Sequence, residues 1–107
     1  MIDRVMRILV MFDLPVKKKR ERKQYAKFRK FLLTDGYSMM QFSIYSRITR
    51  NHDDMNKHVH RLEKHLPPKG SVRVMVVTEK QYNGMLILVG EKTANENYLI
   101  PSDLMDT

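Results

Sequence analysis

An apolar run from Val5 to Phe12 (VMRILVMF) has the length and the Val, Ile and Leu content of a buried central strand. It ends at Asp13-Leu14-Pro15, where proline has no backbone N–H for a sheet ladder. Extended to Leu14, the run is interrupted by the charges of Arg7 and Asp13 and is too short to span a bilayer, and it lacks a small-residue cleavage site. It therefore predicts a strand of a globular domain, with no membrane segment.

Two helices are predicted from apolar residues that recur at spacings of three and four. The first covers about residues 17–33 and ends at Asp35-Gly36. The second covers about residues 53–66, with Asn51 or Asp53 as its cap and Pro67-Pro68 as its stop. The apolar stripes are Tyr25, Phe28, Phe31 and Leu32 in the first helix, and Met55, Val59, Leu62 and Leu66 in the second.

Three further segments have the composition of strands. Residues 37–49 (YSMMQFSIYSRIT) are rich in β-branched and aromatic residues, and their length predicts a bend, a bulge or two successive strands. Residues 72–78 (VRVMVVT) and 85–89 (MLILV) are apolar runs of strand length, with a turn around Tyr82-Asn83-Gly84 between them.

The order β-α-β(β)-α-β-β predicts an α/β (α+β) domain, a ferredoxin-like βαββαβ sandwich with both helices on one face of a small sheet. Residues 1–90 form this domain, and residues 91–107 form an acidic C-terminal tail that includes a short strand-like segment, Tyr98 to Ile100. The core needs four strands, so the strand Met85 to Val89 is additional. Because such a strand commonly completes another subunit's sheet edge, we predict a homodimer with this strand at the interface.

The net charge of +8 comes from one segment. Residues 17–30 (KKKRERKQYAKFRK) hold nine basic residues and one acidic residue, so this basic block alone sums to +8. Such a run is either a solvated helix face or a surface for a polyanion, nucleic acid before membrane. Cations at a helix N-terminus oppose the macrodipole, which favours the binding role. The nucleic-acid contacts that we predict are Lys18, Arg20, Arg22, Lys23 and Lys27.

Asp13 is the candidate catalytic and metal-binding residue. A carboxylate at the end of a central strand is held by the sheet but open to solvent, and its oxygens suit Mg²⁺ or Mn²⁺ in phosphodiester chemistry. The simpler alternative is that Asp13 caps the turn that follows it or the helix after that turn. One carboxylate is too few for a metal site, so we predict a twofold axis that brings both Asp13 side chains to one bridging ion.

Several other chemistries are disfavoured. The absence of cysteine excludes a disulfide scaffold, a cysteine nucleophile and a thiolate zinc site, and it suits the cytoplasmic localisation that we expect. The four histidines, His52, His58, His60 and His65, lack the three- or four-residue spacing of helical metal ligands. The sequence has no glycine-rich phosphate loop and no Gly-flanked nucleophilic serine.

Three motifs, in this order, resemble the family of CRISPR-associated protein two. The stretch RILVMFDLP, residues 7–15, is similar to the family's opening strand and aspartate. QFSIY, residues 41–45, is similar to its Gln-x-Ser-Val-Phe strand, and RVMVV, residues 73–77, to its later Arg-led strand. The sequence F-D-L-P at the end of the first motif is most similar to that of members that accompany single-effector type II systems.

The resemblance implies a ferredoxin-like homodimer in which the Asp13 of each subunit binds a shared Mg²⁺ or Mn²⁺ ion. It also implies a metal-dependent endonuclease of RNA or DNA that serves as the central subunit of spacer insertion, beside a separate integrase, CRISPR-associated protein one. Lys18, Arg20 and Arg22 match the region where members contact DNA, and Phe12 stands where many carry tyrosine.

Three functions remain open at this point. The chain is a DNA-binding scaffold of CRISPR adaptation, a free-standing metal-dependent nuclease, or a non-enzymatic ferredoxin-like module that binds nucleic acid or regulates.

Overall fold

The computed structural model describes residues 4–89. Its elements are β1 (Met6–Asp13), α1 (Lys19–Thr34), β2 (Ser38–Gln41), β3 (Ile44–Thr49), α2 (His52–Glu63), β4 (Ser71–Thr78) and α3 (Glu79–Asn83). The four strands form one antiparallel sheet in the order β2-β3-β1-β4. The predicted ferredoxin-like βαββαβ fold is confirmed, with β1 in the interior of the sheet. The predicted tail at residues 91–107 lies outside the described residues.

Alternation along β1 divides its side chains between the two faces of the sheet. Ile8, Val10 and Phe12 are buried in one core with Phe28 and Leu32 of α1, so this face is the helix side. The remaining β1 residues point to the opposite face, which we call the open face. It consists of Arg7, Leu9, Met11 and Asp13 together with their cross-strand partners Ile44, Ser46, Ile48, Ser71, Arg73, Met75 and Val77.

The predicted apolar stripe of α1 is the one that the helix buries. Phe28 and Leu32 are almost fully buried, and Tyr25 and Phe31 pack at the margin of the same core. The cations of the helix are therefore left on its outer surface, as the amphipathic pattern requires.

The segment 37–49 divides into two strands, which was one of the outcomes expected from its length. Phe42 and Ser43 separate β2 from β3, and Ser43 has a positive φ of 65°. The pairing of β2 with β3 also shifts register between Met39 and Gln41. A positive φ and a bulge together bend the chain sharply enough for a tight hairpin.

The second helix is shorter than predicted. It ends at Glu63, and Leu66 is half exposed, so Leu66 does not belong to the buried stripe. Pro67 disfavours a helical conformation at the residue before it, which is the reason that the helix closes early.

The predicted strand Met85 to Val89 does not form in the single subunit, where these five side chains are exposed. The predicted turn at Tyr82-Asn83-Gly84 is instead the end of α3. This helix begins with a capping box, in which Thr78 accepts from the backbone N–H of Gln81 and Gln81 accepts from that of Thr78. It lies on the open face, where the Tyr82 ring stacks under the Arg7 guanidinium at 4.2 Å.

Candidate functional site

Asp13 is the last residue of β1 and its side chain is exposed on the open face. Its backbone pairs with Ser71 of β4. On the other side, the backbone N–H of Phe12 donates to the carbonyl of Ser43 over 3.0 Å. Strands on both sides therefore fix the position of the Asp13 carboxylate while leaving it accessible.

The turn after Asp13 is packed against a glycine. Gly70 has a φ of +100°, and a Cβ at this position would lie 2.6 Å from the Asp13 carbonyl oxygen and 2.7 Å from Leu14 Cδ2. Only glycine fits both the backbone angle and the space. The loop before β4 thus supports the Asp13 turn directly.

Asp13 opens into a groove on the open face. The polar part of its lining comes from Asp13, Ser43, Ser71 and Arg73, and the apolar part from Met11, Phe12, Phe42 and Ile44. Among residues 4–89, no three histidine or acidic side chains come close enough to hold a metal ion together. One subunit therefore offers a metal a single carboxylate, with a cation, Arg73, beside it.

Phe12 lines the Asp13 groove, but most of its side chain is packed in the core. Its ring is buried on the helix side, stacked on Tyr45 at 5.7 Å and edge-on to Phe28 at 5.2 Å. Phe12 therefore contributes packing to the core and also apolar lining to the Asp13 groove.

The basic block begins at the same end of the sheet as Asp13. All five predicted contact residues are exposed: Lys18, Arg20, Arg22, Lys23 and Lys27. The first turn of α1 is tied down by Glu21, whose carboxylate accepts from the backbone N–H of Lys18 over 2.9 Å, a contact that lowers the Glu21 pKa. Arg22 donates to the carbonyls of Val16 and Lys17, which orders the chain entering the helix.

Sequence patterns did not indicate one member of this surface. Lys69, in the loop before β4, lines a small cleft with Lys18 and Arg20. The cleft floor is formed by Leu14, Pro15, Tyr25, Pro67 and Pro68. A lone lysine after two prolines carries no periodic signal, so only the fold brings it to the basic block.

The histidines divide into one buried and three exposed side chains. His58 is buried, with Nδ1 3.0 Å from Asp35 Oδ2 and Nε2 3.3 Å from Asp54 Oδ1. His52, His60 and His65 are exposed. His58 is therefore a buried partner of two carboxylates, Asp35 and Asp54.

No helix within the described part of the chain is long and apolar enough to cross a membrane.

Comparison with known proteins places the chain in a family. A family model described as CRISPR associated protein Cas2 matches residues 6–85. Similar proteins named CRISPR-associated endoribonuclease Cas2 occur in Acidovorax ebreus, at 56% identity over 79% of this chain and 83% of the relative. The protein of the same name from Campylobacter jejuni is 42% identical, over 95% of this chain and 75% of the relative. That of Ligilactobacillus salivarius is 46% identical, over 81% of this chain and 86% of the relative. The strand, aspartate and sheet described above are thus those of a member of the CRISPR associated protein Cas2 family, to which this chain belongs.

Proposed function

We propose that this chain is a nucleic-acid-binding, metal-dependent endonuclease subunit of CRISPR adaptation that acts as a homodimer. The observation that carries the proposal is the position of Asp13, an exposed carboxylate on the open face, which also exposes apolar side chains. Relatives at 42–56% identity carry the name endoribonuclease, which supports RNA as the first substrate to test.

The open face is the surface on which a second subunit would pack. Ile48 and Met75 are 47% and 50% exposed on it, and the apolar segment 85–89 continues the chain beyond α3. Exposed apolar residues on one face of a sheet favour burial against a second copy of that face, because a twofold axis buries the same patch of both subunits in one interface. Segment 85–89 then adds a strand to the partner's sheet edge, where its unpaired backbone groups find hydrogen bonds.

Dimerisation through the open face would bring two copies of Asp13 together. A lone carboxylate does not fit a metal site, whereas two carboxylates from facing subunits supply the oxygen ligands that Mg²⁺ and Mn²⁺ prefer. The bound ion would supply Lewis-acid chemistry, activating water and neutralising phosphate charge. Asp13 holds the ion, and the Arg73 guanidinium in the same groove holds a phosphodiester oxygen.

The cationic face of α1 would bind the flanking phosphates. Lys18, Arg20 and Arg22 begin within five to nine residues of Asp13 along the chain, and Lys69 joins them through the fold. Contacts of this kind depend on charge rather than on base sequence. Such phosphate contacts would hold nucleic acid on a nuclease, and they would equally hold DNA on a scaffold beside the integrase, CRISPR-associated protein one.

Cleavage assays with an Asp13→Asn variant test the catalytic part of this proposal. RNA and DNA are incubated with the wild-type protein in Mg²⁺, in Mn²⁺ and in EDTA, and Asp53→Asn serves as the matched exposed-carboxylate control. We expect cleavage that needs the metal and Asp13 but not Asp53. Metal-dependent cleavage by purified Asp13→Asn protein would contradict the role of Asp13.

A scaffold without nuclease activity predicts a different pattern. Wild-type protein would then bind DNA and co-purify with the integrase, yet cleave neither nucleic acid under any metal condition. Failure to bind any nucleic acid would instead favour the regulatory module.

A further inference from the structure

A second cationic groove lies at the end of the sheet opposite Asp13. Met6, at the start of β1, pairs with Thr49, and Arg50 follows directly. The basic side chains of this groove, which we call the α2 groove, are Arg47, Arg50, Lys57 and Arg61. None of the four belongs to the basic block, and none lies in the groove of Asp13.

Arg47 is held in place by backbone groups. Its Nε donates to the Asp35 carbonyl and its NH1 to the Ile48 carbonyl, each over 2.7 Å. The guanidinium lies against Gly36, where a Cβ would come within 3.3 Å of it. Gly36 also has a φ of +91°, a backbone angle that favours glycine.

The other three cations, Arg50, Lys57 and Arg61, pair with the buried carboxylates of Asp35 and Asp54. Arg61 NH2 lies 2.6 Å from Asp35 Oδ1, Lys57 Nζ 3.3 Å from Asp54 Oδ1, and Arg50 Nε 3.6 Å from Asp54 Oδ2. The carboxylates are 3% and 6% exposed, whereas Arg50, Lys57 and Arg61 remain 81%, 53% and 51% exposed. Each cation therefore has a buried carboxylate beside it, most closely for Arg61, and keeps donors facing solvent.

The charge of the α2 groove is not balanced by its acids. Four cations face two carboxylates, and His58 bridges those same carboxylates rather than adding an acid. An excess of positive charge on pre-positioned donors is the arrangement that binds phosphate oxygens at low entropic cost, since guanidinium groups match phosphate with paired hydrogen bonds.

We propose that the α2 groove is a second phosphate-binding site, which contacts the phosphodiester backbone of the nucleic acid at the end of the subunit remote from Asp13. The assignment rests on the proposed nucleic-acid binding. Duplex backbone is preferred to a free phosphate because α1, the helix that carries the basic block, also reaches this groove through Thr34.

Helix α1 connects the two cationic regions. Thr34, its last residue, lines the α2 groove, while Lys18 and Arg20 stand at its first turn. Its 16 residues span roughly 24 Å at the usual rise of an α-helix. This length corresponds to about seven base-pair steps of duplex. The exposed cations Lys23, Lys27 and Lys30 lie between the two ends.

The test is the salt dependence of duplex binding by the full chain. Fluorescence anisotropy with a labelled 24-base-pair DNA compares the wild type, the groove variant Arg50→Gln/Lys57→Gln and the control Lys64→Gln/Lys80→Gln, which removes the same charge elsewhere. Two lost phosphate contacts should lower the slope of log K against log salt by about 2 and weaken binding several-fold at low salt. The control should move neither quantity by as much.

A third variant, Lys18→Gln/Arg20→Gln/Arg22→Gln, separates this inference from the proposed function. If the wild type binds no nucleic acid, the proposed function fails. If this block variant weakens binding while the groove variant matches its control, nucleic-acid binding stands and the α2 groove inference is overturned. If inorganic phosphate shifts the Arg50 and Lys57 NMR signals while duplex affinity is unchanged by the groove variant, the groove holds a small anion and the backbone assignment is equally overturned.

Discussion

His58 Nδ1 lies 3.0 Å from Asp35 Oδ2, which joins the middle of α2 to the residue that ends α1. The opposite ring nitrogen lies 3.3 Å from Asp54 Oδ1, on the first turn of α2. Carboxylate oxygens only accept hydrogen bonds. The imidazole ring can therefore donate to both carboxylates only when both of its nitrogens carry protons. The imidazole is thus the central link between two buried carboxylates.

Replacing His58 by leucine should destabilise the fold by about 2–3 kcal/mol, because two buried carboxylates lose a shared partner. Urea unfolding of His58→Leu measures the change. His60→Leu, on the exposed side of the same helix, is the matched control and should change the free energy of unfolding by less than about 0.5 kcal/mol. Equal effects of the two substitutions would show that the bridge adds nothing.

Asp54 predicts a pH dependence of stability. The backbone N–H of Arg50, then Lys57, His58 and the Arg50 side chain, hold the Asp54 pKa at about 2, below its ordinary value of 3.8. The unfolded chain therefore takes up the proton first, so the stabilisation is present above about pH 4 and is lost as the pH falls toward 2. Its size is on the order of 2 kcal/mol.

The Asp54→Asn variant checks this directly. Its deficit against the wild type in urea unfolding should be largest at pH 6 and shrink steadily down to pH 3. Asp53→Asn, the exposed neighbour in the same helical turn, should show no such trend. A deficit for Asp54→Asn that is constant with pH would contradict the low pKa.

The buried network illustrates what the sequence could not predict. The histidine spacings argued against a metal site, but nothing in them marked His58 as buried, because its partner Asp35 lies 23 residues away and reaches it only through packing. Asp35 was predicted as a helix end, which it is, as the C-cap of α1. Its second role, as an anchor for Arg61, depends on where α2 is placed.

Tyr37 has a buried hydroxyl with no hydrogen-bond partner among residues 4–89. Burial raises the pKa of this tyrosine to about 12, with the Asp35 charge adding to the effect. Tyr37→Phe should therefore leave stability unchanged or raise it by up to about 1 kcal/mol, since it removes a desolvated group without breaking a bond. Thermal unfolding at pH 7 measures this, and a clear loss of stability would show that the hydroxyl has a partner.

Gly70→Ala should destabilise the protein by at least about 2 kcal/mol and displace the Asp13 turn. The added methyl has no space beside the Asp13 carbonyl, and the positive φ is itself unfavourable for alanine. Gly84→Ala is the control, because Gly84 has a φ of −84° and caps a short helix. Unfolding and metal-dependent cleavage are measured together, and wild-type values for both in Gly70→Ala would contradict the tight packing.

The periodicity of apolar residues predicted the main helices and strands, but it predicted neither their exact ends nor helix α3. Strand β1 and the buried stripe of α1 have strong local patterns. Helix α3 was missed because its five residues are too few to show a period, although the Thr78 and Gln81 capping pair was a usable signal. Segment 85–89 has the composition of a strand but no partner strand in one subunit, so its pairing depends on a surface that the sequence does not locate.

The open face predicts that a charge at Met75 will weaken dimerisation. Met75 pairs with Leu9 midway along the edge strand β4 and is 50% exposed, so a lysine there is compatible with a folded subunit but not with burial against a second one. Leu66→Lys is the matched control, since Leu66 is equally exposed but lies in the loop after α2. Sedimentation equilibrium should give a dimer for the wild type and for Leu66→Lys, and a dissociation constant at least tenfold higher for Met75→Lys.

Because paired Asp13 carboxylates require the dimer, Met75→Lys should also lose metal-dependent cleavage at concentrations where it is monomeric and regain it as concentration rises. Full activity of monomeric Met75→Lys would mean that one Asp13 suffices, and the shared metal site would then be wrong.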